Sequence, residues 1–262
     1  MSNPYFQFKQ FIIHQDRCAM KVTTDSCLFG SWVAERVRNR ETEVGRRESL
    51  AENILDIGTG TGLLSLMIAQ QCNADITTVE IDPESFEQAS ENIAASPWAD
   101  RINIFQADIR KFEFSSHYNV IISNAPFYEK ELKGDNTKKN IAHHNEGLLL
   151  AELLTIIKKN LQPDGVFFLL LPFKRNEEIR KLIIGTGLSI RQLTFVRQST
   201  KHAFFRIMLE GKLKTDVTSE IMIDEISIEN DPSLVFTPVS RGSEIRYTAA
   251  FINLLKDFYL HL

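Results

Sequence analysis

The residues best suited to chemistry sit together in Asp56-Ile57-Gly58-Thr59-Gly60-Thr61-Gly62. Glycines at alternate positions allow a sharp backbone turn and a close approach to a ligand that any Cβ would block. Asn53-Ile54-Leu55 leads in and an apolar run from Leu63 to Ala69 leads out, so the segment reads as strand, turn and helix. Such a turn presents free N–H groups at a helix N-terminus, where nucleotide-like ligands bind. The spacing narrows the choice. A dinucleotide fingerprint would need a glycine where Leu63 stands, and no Gly-Lys-Ser/Thr follows to make a phosphate-binding loop. Asp56 sits where a carboxylate holds an amine or a positive charge. That suits S-adenosylmethionine, which carries an amino acid and a sulfonium. A glycine turn that merely closes a strand is the plain structural alternative.

Three more polar residues stand at the ends of apolar runs. Ile76-Thr77-Thr78-Val79-Glu80 is β-branched and ends in an acid about twenty residues past the first glycine, where nucleotide sites bind a ribose diol. Ile102 to Ile109 reads as a third strand that carries Asp108 at its end. Tyr118 to Ser123 is more apolar, as expected of a central strand, and runs straight into Asn124-Ala125-Pro126-Phe127.

The elements that must position these residues alternate along the chain. Leu28, Phe29, Trp32 and Val33 predict a helix from about Asp25 to Val37 with Asp25 as its N-cap, either a lid over the ligand or a simple helix cap. Arg36 to Glu52 is mixed in charge and reads as a solvated linker, with a basic contact to a polyanion as the alternative. Asp82-Pro83 starts a helix whose buried face is marked by Phe86, Ala89 and Ile93. Leu148 to Leu161 is an amphipathic helix, Pro163-Asp164-Gly165 a turn and Val166 to Leu171 a buried strand. A helix over Asn176 to Thr186 closed by Gly187, strands at Ser189–Arg197 and Ala203–Glu210, and a terminal helix marked by Tyr247, Phe251, Leu254, Leu255 and Phe258 complete the series. This rhythm predicts a mostly parallel sheet with helices on both faces. Glu129 to Gly147, polar and containing His143 and His144, reads as a mobile substrate loop at the ligand-binding edge rather than a metal site.

Bulk properties exclude several classes. The 262 residues are 43% hydrophobic with a net charge of −4, so any nucleic-acid surface must be a local patch. Lys9, Lys21, Arg197, Lys201, Arg241 and Arg246 are the basic candidates for it. Cys18, Cys27 and Cys72 make neither metal spacing nor an even disulfide set, which fits a reducing cytoplasm. The N-terminus is no signal peptide, and no apolar run reaches the ~18 residues of a membrane span.

In order, the glycine loop, Glu80, Asp108 and Asn124-Ala125-Pro126-Phe127 resemble the class I S-adenosylmethionine-dependent methyltransferases, the tetrapeptide resembling the Asn-Pro-Pro-Tyr/Phe motif of amino-group methyltransferases. Phe8-Lys9-Gln10-Phe11, the stretch Asp16 to Asp25, Ser96-Pro97-Trp98-Ala99-Asp100-Arg101-Ile102 and the end from Tyr247-Thr248 to Leu260 resemble the bacterial tRNA1(Val) (adenine(37)-N6)-methyltransferases. The resemblance implies one Rossmann-like domain over 1–262 with a seven-stranded sheet, residues 1–52 helping to cover the cofactor site. It implies S-adenosylmethionine bound by Lys21, Thr24, Asp25, Asp56, Gly58, Gly60, Gly62, Glu80, Asp108 and Asn124. It implies catalysis by Asn124, Ala125, Pro126 and Phe127, no metal, and a valine tRNA as partner of a monomeric cytoplasmic enzyme. Ala125 replaces the motif's usual proline but keeps the backbone carbonyl that the chemistry uses. Two alternatives stay open: a protein glutamine N5-methyltransferase, which shares the motif, and a catalytically idle fold that binds RNA or protein.

Overall fold

The computed structural model describes residues 3–43, 53–124, 148–215, 220–231 and 247–262, with the side chains of 41–43 left aside. Residues Tyr5–Gln7 (β1) and Ile12–His14 (β2) pair as an antiparallel hairpin, and Thr24–Glu43 (α1) follows. Asn53–Ile57 (β3), Leu63–Gln71 (α2), Asp75–Glu80 (β4), Pro83–Ala94 (α3), Ile102–Gln106 (β5) and Tyr118–Ser123 (β6) alternate as the sequence predicts. After these come Leu150–Asn160 (α4), Leu161–Pro172 (β7), Asn176–Thr186 (α5), Leu188–Arg197 (β8), Phe204–Leu213 (β9), Met222–Ser227 (β10) and Ala249–Leu255 (α6).

Among the described residues the main sheet has eight strands, ordered β10-β8-β9-β7-β6-β3-β4-β5, and only β9 runs antiparallel to its neighbours. The expected seven is corrected by β10, which pairs parallel to β8 at the edge. Four of its six residues are exposed, so it lacks the apolar run that marks a buried strand. Successive residues of the central strands face opposite sides. Ile54, Val120, Ile122 and Phe168 pack with α1, α2 and α6, whereas Leu55, Ile121, Phe167 and Leu169 pack with α4 and α5. Burial on both faces is why these strands read as continuous apolar runs.

Four local readings are corrected. Helix α1 continues to Glu43 through residues taken for linker, where Arg38 donates to Gln71 Oε1 at 2.9 Å and Arg40 to the Asp164 carbonyl at 3.2 Å. Arg36, just before them, has partners too. Its guanidinium lies 3.8 Å over the Trp32 ring, bonds Gln192 Oε1 at 3.0 Å and pairs with Glu210 at 3.4 Å. Thr23, not Asp25, caps this helix: its backbone N–H donates to Ser26 Oγ at 3.0 Å while the Ser26 N–H faces Thr23 Oγ1 at 3.4 Å. Pro163-Asp164-Gly165 lies within β7, where the four residues between Leu161 and Val166 oppose the single residue between Tyr118 and Val120. On α3 the buried positions include Ser85, Gln88 and Asn92 beside Ala89 and Ile93, while Phe86 is only half-buried. The Asp82 cap holds as predicted, accepting from the Ser85 N–H at 2.9 Å.

Candidate functional site

A cleft of about 570 Å³ opens at the carboxyl edge of the sheet, within the range of small-ligand sites. Strand register brings its parts level: Ile57 pairs with Val79 and with Ser123, and Glu80 pairs with Gln106. The glycine loop, Glu80, the turn after β5 and Asn124 therefore emerge side by side. The walls include Gly58, Gly60, Glu80, Asp108 and Asn124, together with Lys21 from the N-terminal segment.

Gly58, Gly60 and Gly62 have φ of 72, 58 and 82°, a left-handed backbone that side-chain-bearing residues avoid. A Cβ at Gly60 would meet no protein atom within 4 Å, so its missing side chain leaves open space. Gly62 does not line the cleft; its bare Cα faces Ile93 and Ala89 and lets α2 start close to α3.

Each acid has a distinct environment. Glu80 Oε2 accepts the Gly60 N–H at 2.8 Å, and Oε1 accepts those of Ile81 and Asp82, both at 2.9 Å. The loop is thus held in shape by the acid at the end of the neighbouring strand. Asp108 is clasped by Arg110, whose Nε and Nη2 lie 2.9 and 2.7 Å from its two oxygens. Those bonds hold the Asp108 carboxyl below its ordinary range. Asp56 is fully buried beneath the loop and is not on the wall, so the sequence reading of a direct ligand contact is not what this geometry presents. Its Oδ2 accepts from Thr59 Oγ1 at 2.8 Å and Ser65 Oγ at 2.7 Å, while Oδ1 is buried with no hydrogen-bond partner among the described residues. Burial pushes its carboxyl up to about 6.

Thr24 and Asp25 also lie off the cleft walls. Asp25 turns to Arg206, with Oδ2 2.6 Å from Nε. Burial opposes its ionisation, yet bonds from Thr23 and Arg206 outweigh that and hold it below the usual value. Lys21 is on the wall, its ammonium donating to the Gln15 and Asp16 carbonyls. Ala125, Pro126, Phe127, the stretch 129–147, Arg241 and Arg246 lie outside the described residues. Of the other basic candidates, Lys9 donates to the Lys256 carbonyl, Arg197 pairs with Glu225 and Lys201 with Asp231.

Sequence reasoning missed Cys18, Met20, Ser26, Ile81, Ser85, Arg110 and Leu148 on the walls. Arg110 alone carried a signal, a cation two residues beyond a strand-end acid. Among the described residues no three His, Cys, Asp or Glu side chains could share a metal ion, and no helix is long and apolar enough to cross a membrane.

Comparisons with known proteins agree with one another. The family model for the methyltransferase small domain matches residues 44–179. A tRNA1(Val) (adenine(37)-N6)-methyltransferase of Phocaeicola vulgatus is 39% identical over 262 residues, covering all of both chains. One from Dyadobacter fermentans is 38% identical over 98% of each. In structure, a ribosomal protein L11 methylase from Lactobacillus delbrueckii matches with a TM-score of 0.52 at 15% identity, over 76% of this chain and 83% of that one. The glycopeptide N-methyltransferase MtfA matches with a TM-score of 0.50 at 12% identity, over 70% and 90%. At such identities the two structures speak for the fold alone, which is that of class I methyltransferases.

Proposed function

The chain belongs to the tRNA1(Val) (adenine(37)-N6)-methyltransferase family, and from that premise we propose that it methylates N6 of adenine 37 beside the anticodon of a valine tRNA, with S-adenosylmethionine as donor. The observation that carries the reading is the position of Asn124. It leaves central strand β6 on the wall of the same cleft that the glycine loop, Glu80 and Asp108 line.

The residues present fit the donor. Gly60 leaves room where a Cβ would intrude, and the Glu80 and Asp108 carboxylates would accept from ribose hydroxyls and the adenine amine. The unpaired Asp56 Oδ1 places a buried acceptor under the loop, suited to the field of a cationic ligand rather than to direct contact. When bound, S-adenosylmethionine supplies an electrophilic methyl group on sulfur.

The chain's own residues act on the acceptor base. Adenine N6 is a poor nucleophile because its lone pair is delocalised into the ring. The Asn124 side-chain oxygen and the Ala125 carbonyl would each accept an N6 hydrogen, favouring a pyramidal nitrogen whose lone pair points at the methyl. Phe127 would stack on the flipped base, worth ~1–3 kcal/mol by analogy with other stacked bases. Most of the acceleration comes from holding nitrogen in line. No strong base is needed, because the methylated nitrogen is acidic and releases its proton to water afterwards.

The working unit is read as one methyltransferase domain, monomeric and cytoplasmic, with residues 1–52 extending over the cofactor site. The three cysteines are all buried and form no disulfide, which agrees with a reducing compartment. The test supplies labelled S-adenosylmethionine with tRNA, DNA and a release-factor-like protein in parallel. Label in adenine 37 of whole valine tRNA, falling as salt screens phosphate contacts, is the expected result. Label only in the protein would move the reading to glutamine methylation, and label in none would favour the idle fold.

A further inference from the structure

One face of α3 is polar and buried. Ser85, Gln88 and Asn92 are 6, 1 and 1% exposed, spaced as i, i+3 and i+7. Ser85 sits beside the Cys18 thiol, and the other two bond the N-terminal segment: Gln88 Oε1 accepts the Arg17 N–H at 3.3 Å, and Asn92 grips both peptide groups of His14. Beyond this rail, Gln15 Oε1 accepts the Val22 N–H at 2.7 Å and cinches residues 15–22 into a strap. Cys18 to Val22 then form one wall of the cleft, and the glycine loop forms another.

Asn92 joins the residue that leads into the strap to the glycine loop. Its Oδ1 accepts the His14 N–H at 2.9 Å, and its Nδ2 donates to the His14 carbonyl at 2.8 Å and the Thr61 carbonyl at 2.9 Å. Both amide hydrogens and one oxygen lone pair are used, and the opposite amide orientation would set N–H against N–H. No apolar residue of that size makes these three bonds, and the Thr61 carbonyl left behind would be buried and unpaired.

Resting on S-adenosylmethionine as the donor, we infer that Asn92 is a positioning residue for the donor site, coupling the seating of the 15–22 strap to the shape of the glycine loop. Ligand in the cleft therefore stabilises the docked strap, and a docked strap raises ligand affinity by the same factor, since coupling is reciprocal.

The test uses the full chain, S-adenosylhomocysteine as probe, and trypsin cleavage after Arg17 and Lys21 as a report on the strap. In the wild type, saturating probe slows that cleavage about tenfold or more, within the usual range of coupling. Asn92→Ala raises the probe's Kd roughly ten- to a hundredfold, as loss of three hydrogen bonds to two segments implies. It also cuts the protection below about threefold, while kcat at saturating donor stays within about threefold. Gln88→Ala, which removes a bond to the strap alone, should speed cleavage without probe and weaken binding at least about threefold. Either variant binding the probe like the wild type, while unfolding cooperatively, would overturn the inference. So would an Asn92→Ala chain that binds weakly yet keeps full protection, since Asn92 would then brace the loop alone. Should Asn92→Ala not fold, Gln88→Ala decides. A wild-type chain that binds no S-adenosylhomocysteine would instead remove the donor reading, and this inference with it.

Discussion

Replacing Glu80 by Gln tests the site at its most connected group. The carboxylate accepts three backbone N–H groups, Gly60 on one oxygen and Ile81 and Asp82 on the other, and the residue is 7% exposed. Gln keeps the shape but offers one acceptor oxygen. The less costly orientation keeps that oxygen on the Ile81 and Asp82 pair and turns the amide nitrogen toward the Gly60 N–H. One charge-assisted bond is then lost, about 1.5–3 kcal/mol. For a chain of this size that lowers Tm by about 3–10 °C. The ribose also loses a carboxylate acceptor, so the Kd for S-adenosylhomocysteine should rise roughly ten- to a hundredfold. Calorimetry gives the affinity and thermal unfolding gives the Tm. A lower Tm with unchanged affinity would reduce Glu80 to a brace for the loop, and no change in either would refute the reasoning outright.

Three further outcomes follow from the same geometry. Asn124→Ala should lower turnover on tRNA by about two orders of magnitude or more and change donor affinity less than about threefold, the mark of an interaction made in the transition state; near wild-type turnover would remove Asn124 from the chemistry. Gly60→Ala should cost about 1–2 kcal/mol of left-handed strain and put a methyl group in the cleft, weakening donor binding in calorimetry; unchanged affinity would take the loop off the ligand's wall. Asp56, with its folded carboxyl raised from 3.8 to about 6, makes the folded state the tighter proton binder between those values. Stability from this group is full below pH 4 and falls by about 3 kcal/mol as pH rises to about 6. In denaturant titrations Asp56→Asn should therefore gain on the wild type across that window, and a difference independent of pH would contradict the raised carboxyl.

How much of this was legible in the sequence follows the range of the interactions. Asp82-Pro83 predicts the start of α3 because a cap bonds a backbone group three residues on. The glycine loop is equally local, its left-handed residues being set by the absence of side chains. The strand-end acids could be placed on one edge because parallel strands alternating with helices bring their carboxyl ends level.

What tertiary structure decided rests on partners far along the chain. Arg36 stood at the seam between predicted helix and linker, and Gln192 and Glu210, over 150 residues away, keep it in the helix. Asp25 looked like a cap, but Arg206 claims it and Thr23 takes that role. Gln88 and Asn92 carry the polar character of a solvent face. They are buried because the segment from His14 to Cys18 lies across them and bonds both side chains. Sequence patterning reports the polarity of a residue and the period of its neighbours. Which distant backbone group meets a side chain depends on how the chain folds back on itself, and that is a property of the packed structure alone.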